Sequence, residues 1–199
     1  MKKIIILFAT VLIATSADAR RNQPRDTPVT IYLHDGTQLE GFVLPFVAEA
    51  RRIEFRYERG GRIQRIESAS IQRIRRYNEE DNSFAEVSWL PRIFISTSGN
   101  VRERGPRWLT AVIIGPITLY SLLEGPFTIY FLKREEDVAP VGAIGARAGS
   151  ERLALPSPIW KFFESYTELL ERIRNEEYRA TSADIRAVVH QYNFRASQR

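Results

Sequence analysis

The stretch RGPRWLTAVIIGPITLYSLLEGPFTIYFLK, residues 104–133, admits two readings, a helix buried in a membrane or a set of strands. Gly-Pro recurs at 105–106, 115–116 and 125–126, a spacing of ten residues each time. Proline breaks the hydrogen bonding of a helix interior but is tolerated where a strand begins or ends. The uncharged run Trp108–Leu123 has 16 residues, about 24 Å as a helix against a hydrocarbon core of about 30 Å. Extending it brings in Glu124, a carboxylate costing roughly 3 kcal/mol near the bilayer centre. The pattern therefore predicts a meander of strands and no membrane span. In its first run Trp108, Val112 and Ile114 alternate with Leu109, Ala111 and Ile113, so a central strand buried on both faces is expected.

Upstream, SWLPRIFISTSGN (88–100) reads as a further strand interrupted by Pro91, and the meander as a whole spans 84–133. Downstream, residues 134–156 are rich in Gly, Ala and Pro and read as a linker. Gly142, Gly145 and Gly149 match neither a dinucleotide fingerprint nor a phosphate loop. Residues 157–193 read as a helix pair. Ser157-Pro158 opens the first helix, whose apolar face is Ile159, Phe162, Phe163, Tyr166, Leu169, Leu170 and Ile173, with Asn175 at its end. Thr181 and Asp184 resemble a capping box for the second, which presents Ile185, Val188, Val189 and Tyr192. Both apolar faces are expected to pack on the sheets.

Towards the N-terminus, Val29, Ile31 and Leu33 alternate with Thr30, Tyr32 and His34, and Asp35-Gly36 marks a hairpin turn. Gly41 in the return strand suits a sharp bend or a close backbone approach. Four or five short strands follow one another within 28–77, the density of a small all-β barrel. The stretch VTIYLHDGTQLEGFV (29–43), with Ile71 and Ile74 beyond it, resembles a Sm-like small barrel. The resemblance implies the architecture only, since that family's RNA-binding residues find no match. The run NEEDNS, 78–83, reads as a solvated turn; Glu79, Glu80, Asp81 and Asn82 lack the alternating ligands and central glycine of a calcium loop.

The first 19 residues combine a basic start (Lys2, Lys3), an apolar run from Ile4 to Ala14 and the small-residue site Ala17-Asp18-Ala19. That is the pattern of a signal peptide, with cleavage near Ala19 and a flexible basic lead-in over 20–27. The expected location is the periplasm or the cell exterior. Removing residues 1–19 takes away two lysines and one aspartate, moving the net charge from +5 to +4. Cysteine is absent, which excludes disulfides and thiol catalysis. Despite a basic balance, the arginines are scattered among acids, and export argues against a nucleic-acid partner.

Few residues carry chemistry. His34 and His190 are the only histidines, with no zinc-ligand spacing. Ser96 and Ser98 in ISTSGN do not form a nucleophile elbow, and Glu135 and Glu136 are adjacent acids in a charged segment. No catalytic, metal or cofactor residue is predicted. Thr118 and Tyr120 recur as Thr128 and Tyr130; if the two strands pair in even register, these four make a patch for a sugar or a peptide. Helices covering that face would close it.

A second resemblance lies in LEGPFTIYFLK (123–133) and FFESYTELLERIRNEEYRATSADIRAVVHQYN (162–193), the latter ending in Tyr192-Asn193. Both resemble the C-terminal half of small exported proteins of the Bacteroidota. The resemblance implies export and a β-plus-helix layout, and no chemistry. The sequence thus predicts an α+β protein with a small β barrel-like unit, a second antiparallel sheet and two C-terminal amphipathic helices. Its expected role is a non-enzymatic module of the cell envelope that binds a protein partner or a glycan. A carboxylate-dependent hydrolase and a structural envelope component are the alternatives.

Overall fold

The structure is a computed structural model describing residues 26–96, 98–146 and 152–198. The expected signal peptide, residues 1–19, and most of the expected lead-in lie outside these residues. Among the described residues ten strands form one sheet, and three helical segments, at Ser157–Phe163, Thr167–Arg174 and Ser182–Ala196, follow it. No helix among the described residues is long and apolar enough to cross a membrane; residues 104–133 are strands.

The first five strands are β1 (Thr27–Leu33), β2 (Gln38–Val43), β3 (Arg52–Arg56), β4 (Gln64–Glu67) and β5 (Ile71–Asn78). They lie in the order β5-β1-β2-β3-β4, and a 3-10 turn at Ser68–Ser70 joins β4 to β5. The expected hairpin turn is present, with Gly36 at φ +87° and the Asp35 carboxylate accepting from the Thr37 N–H at 2.8 Å. Inward-pointing Val29, Ile31, Val43, Ile53, Phe55, Ile71 and Ile74 make one core. Residues 79–82 turn back from β5, with Asn82 at φ 54°. Asn78 and Asp81 cap this turn through the N–H groups of Glu80 and Ser83.

The remaining strands are β6 (Ser83–Ile95), β7 (Val101–Ile113), β8 (Ile117–Glu124), β9 (Phe127–Arg134) and β10 (Val141–Ala146). They are not a separate second sheet. β6 is 13 residues long, and its first half pairs with β5. Beyond Pro91, β6 also meets β10 in parallel at Val141↔Ile93, and the Ile93 N–H donates to the Pro140 carbonyl at 3.0 Å. Strands β6 to β10 therefore close into a ring. The linker expected at 134–156 contains β10, which its two glycines and a bulge between Gly142 and Ile144 hid by breaking the alternation. At Gly142 a Cβ would crowd the Phe94 ring at 3.0 Å.

The Gly-Pro pairs act differently from one another. Gly125-Pro126 makes a two-residue hairpin turn with Gly125 at φ +57°, the glycine-first geometry that suits strand twist. Gly115-Pro116 separates β7 from β8. Gly105-Pro106, expected as a break, lies inside β7. It faces Pro91 at a bulge between the Leu90↔Arg107 and Arg92↔Arg104 pairs, so two residues lacking an N–H share one gap in the ladder. β7 lies between β6 and β8, and only its second half is buried on both faces, with Trp108 in the first core, Leu109 on the opposite face and Ile113 under the helices. Val101–Gly105 are exposed, and Ile114, expected on a buried face, is exposed just past the strand's end. Trp108 also ties the halves together. Its backbone N–H donates to the Ala48 carbonyl at 2.9 Å and its indole N–H to that of Ala50 at 3.1 Å.

The first predicted helix is broken in two, a 3-10 helix (Ser157–Phe163) and α1 (Thr167–Arg174). The break lets both halves of the apolar face, Phe162 and Phe163 as well as Leu169 and Ile173, reach the same core. α2 runs from Ser182 to Ala196 and buries Ile185, Val188 and Val189 against β7 and β8. Thr181 caps it, accepting from the Asp184 N–H at 3.1 Å. The Asp184 carboxylate instead takes the Arg179 N–H at 2.9 Å, so the box is only half formed. Thr181→Ala should cost about 1 kcal/mol of unfolding free energy; an unchanged urea midpoint would show the cap to be idle.

Candidate functional site

The helices cover one face of the ring, where Ile117, Leu119, Tyr130 and Leu132 are buried. The other face points inward. Phe94 on β6 and Phe131 on β9 are not on neighbouring strands, yet their rings meet edge-to-face at 5.5 Å. Arg92 on β6 likewise reaches Glu124 on β8, past β7, at 3.1 Å. Leu109, Leu122 and Phe131 plug the middle of this inner face. A polar cleft opens at each end.

The register decides the fate of the four residues singled out above. Thr118 faces Lys133, Tyr120 faces Phe131, Ser121 faces Tyr130 and Leu123 faces Thr128. The pairing is odd, not even, so Thr118 and Tyr120 share the inner face while Thr128 and Tyr130 lie on the other. Tyr130 is 2% exposed beneath α2, its hydroxyl accepting from Arg186 at 3.3 Å. Thr128 is half-buried between β8 and β10. No four-residue patch forms.

Two of the four do belong to a cleft. Thr118 and Tyr120, with Ser88, Arg73, Glu86 and Lys133, line a cavity of about 440 Å³. Alternation along β6 and β8 brings their side chains to one side. Burial raises the Tyr120 phenol above its ordinary pKa, opposed by a hydrogen bond with Ser88, while the Glu86 charge raises it further and Arg73 lowers it. Arg73 pairs with Glu86 at 3.6 Å and stacks over Tyr32 at 4.4 Å. The cleft can offer a phenol, hydroxyls and a cation to a polar ligand.

At the opposite end, Arg92, Arg102, Arg104 and Arg107 surround a cavity of about 590 Å³ together with Glu124, Phe94, Gly105 and Ile129. Sequence reasoning passed over these arginines because in the linear chain they are interleaved with Glu103 and separated by a turn. Pairing of β6 with β7 sets Arg92 opposite Arg104 and Phe94 opposite Arg102. Alternation then sends these four to one face, while Ile93 and Glu103 point to the other. Arg92 is 5% exposed. It donates through Nη1 to Glu124 and through Nε to the Gly105 carbonyl at 3.3 Å. Burial lowers the pKa of this guanidinium; the hydrogen bond and charge of Glu124 oppose that shift, and the charges of Arg107 and Arg104 add to it.

The other residues considered for chemistry stand apart. His34 and His190 are exposed on different elements, and Ser96 and Ser98 hydrogen-bond to each other at 2.8 Å in the turn before β7. Among the described residues no cluster of three or more His, Asp or Glu side chains could hold a metal ion. No family model, no curated protein and no solved structure matches the chain.

Proposed function

We propose that the chain is an exported, non-enzymatic binding module of the cell envelope, which takes a protein partner or a glycan on the inner face of β6 to β9. The observation that carries this reading is the pair of clefts opening on the one face that the helices leave uncovered. A purely structural component needs no such openings. The hydrolase alternative requires two acids converging across a cleft, whereas Glu86 and Glu124 are each engaged by an arginine at opposite ends of the face. The export part of the proposal rests on the leader pattern of residues 1–19.

A Sm-like identity of the first five strands is part of the same reading. It is supported by the order β5-β1-β2-β3-β4, by the 3-10 turn before β5, and by the close approach of Gly41 in β2 to Phe55.

The test is thermal unfolding of the full chain against cell-wall fragments and neutral and acidic glycans. A ligand at a hundred times its Kd stabilises by about 2.7 kcal/mol, which is roughly 5 to 10 °C for a chain of this size. One class should shift the transition by that amount, and the shift should shrink in Tyr120→Ala or in Arg104→Gln. A single cooperative transition that no class moves would sink the glycan form of the proposal and leave only a protein partner.

A further inference from the structure

We propose that the arginine-lined mouth at the Arg92 end of the inner face is a binding site for a phosphate monoester, a dianionic group carried on a small organic body. The proposal rests on the binding-module reading and names its ligand class.

The charge balance of the mouth selects the ligand. Four guanidinium groups line it, and two carboxylates answer them: Glu124 holds Arg92, and Glu49 holds Arg107 at 3.0 Å. The Arg102 and Arg104 side chains are exposed and make no hydrogen bond or ion pair among the described residues. Glu103, between them in sequence, belongs to the opposite face. Two positive charges are thus left unanswered around one cavity. A carboxylate would neutralise one of them, whereas a phosphate monoester, at about −1.5 to −2 near pH 7, matches both.

The donors are also placed for an oxyanion. Arg92 is fixed by Glu124 through Nη1 and by the Gly105 carbonyl through Nε, so neither of these bonds uses its Nη2. A buried guanidinium held in this way loses little freedom when it binds, and its planar fork suits paired oxygen atoms. Gly105 adds no side chain to obstruct approach, since nothing lies within 4 Å of where its Cβ would stand. Arg104 and Arg107 lie near enough to Arg92 for their charges to depress its pKa, a mutual repulsion that a bound anion relieves. Phe94 and Ile129 supply an apolar wall beside the guanidinium groups, where the carbon skeleton of an ester can rest.

The test is calorimetric titration of the full chain at low ionic strength with inorganic phosphate, glycerol 3-phosphate and glucose 6-phosphate, with acetate as the monoanion control. The esters should bind and acetate should not, and added salt should weaken binding by screening. The double variant Arg102→Gln/Arg104→Gln changes only exposed side chains, so its melting temperature without ligand should equal that of the native chain. It should bind the esters about tenfold more weakly, or worse, as expected for loss of charge-assisted hydrogen bonds. A preference for glycerol 3-phosphate assigns the site to a lipid-type headgroup, and a preference for glucose 6-phosphate to a phosphorylated sugar; either supports the proposal. It is overturned if no ester binds, if acetate binds as well, if inorganic phosphate binds as tightly as both esters, or if the double variant binds unchanged. Should phosphate fail while a neutral glycan still raises the melting temperature, this inference falls and the binding-module reading stands. If neither moves the protein, both lose their support.

Discussion

Replacing Gly41 with alanine should lower the unfolding free energy by about 3 kcal/mol or more, the upper range for forcing atoms into a packed site. A Cβ at this position would lie 2.7 Å from Phe55 Cζ and closer still to the Arg56 carbonyl oxygen. Phe55 is fully buried, and the carbonyl belongs to β3, paired with β2 at Phe42↔Arg56. Neither neighbour can retreat without opening the β2–β3 ladder or unpacking the first core. For a chain of this length the loss corresponds to roughly 6 to 12 °C in melting temperature. Trimming the ring with Phe55→Leu should not rescue the variant, because the carbonyl stays where it is. Gly36 is the control: it has open space around it but sits at φ +87°, so alanine there should cost only about 1 kcal/mol through backbone strain. Equal losses at the two glycines would refute the close-approach explanation.

The second large effect is expected at Asn193, on the last turns of α2. Its side chain grips one residue of the sheet from both sides. Oδ1 accepts from the Ile117 N–H at 2.9 Å, and Nδ2 donates to the Ile117 carbonyl at 2.8 Å. The amide thus stands in for a neighbouring strand at the start of β8. Asn193→Ala should cost about 2 to 4 kcal/mol, since both Ile117 groups are left unpaired beneath the helix. Asn193→Asp keeps the acceptor but turns a carboxylate towards the Ile117 carbonyl, and should be at least as harmful. Hydrogen exchange gives the local readout: the Ile117 amide should lose protection in the alanine variant before the amides of β1 do. Retained protection would mean that the clamp contributes nothing. Gly115 makes room for it, as a Cβ there would lie 2.7 Å from Asn193 Cγ.

These two sites mark how much was legible in the chain. Gly41 within an alternating strand signalled a sharp bend or a close approach, and the structure supplies the approaching atoms. The ten-residue Gly-Pro spacing, with the short uncharged run and Glu124, separated strands from a membrane helix because each proline would cost such a helix a backbone hydrogen bond. Strand register was not legible. Between Thr118/Tyr120 and Thr128/Tyr130, a shift of one residue moves every side chain to the other face. The turn Glu124-Gly125-Pro126-Phe127 set that shift by pairing Glu124 with Phe127. The arginine mouth was hidden for a related reason. Arg92 and Arg104 become opposite only once a bulge has absorbed the extra residue at Gly105-Pro106. β10 escaped notice because its pairing surface is its backbone, and its glycines leave little side-chain pattern to read.

The closure of β6 by β10 has a consequence for the order in which the protein is made. Ile93 and Val141 meet although three strands, β7 to β9, intervene in the chain, so β6 leaves the ribosome well before the strand that seals its far edge. Until then the end of β6 is an open template for any extended chain. Pro91, which offers no N–H, and Arg92, which carries a charge, sit just before that stretch. In the nascent chain these two residues would guard against mispairing, a task separate from any they perform once the ring is shut.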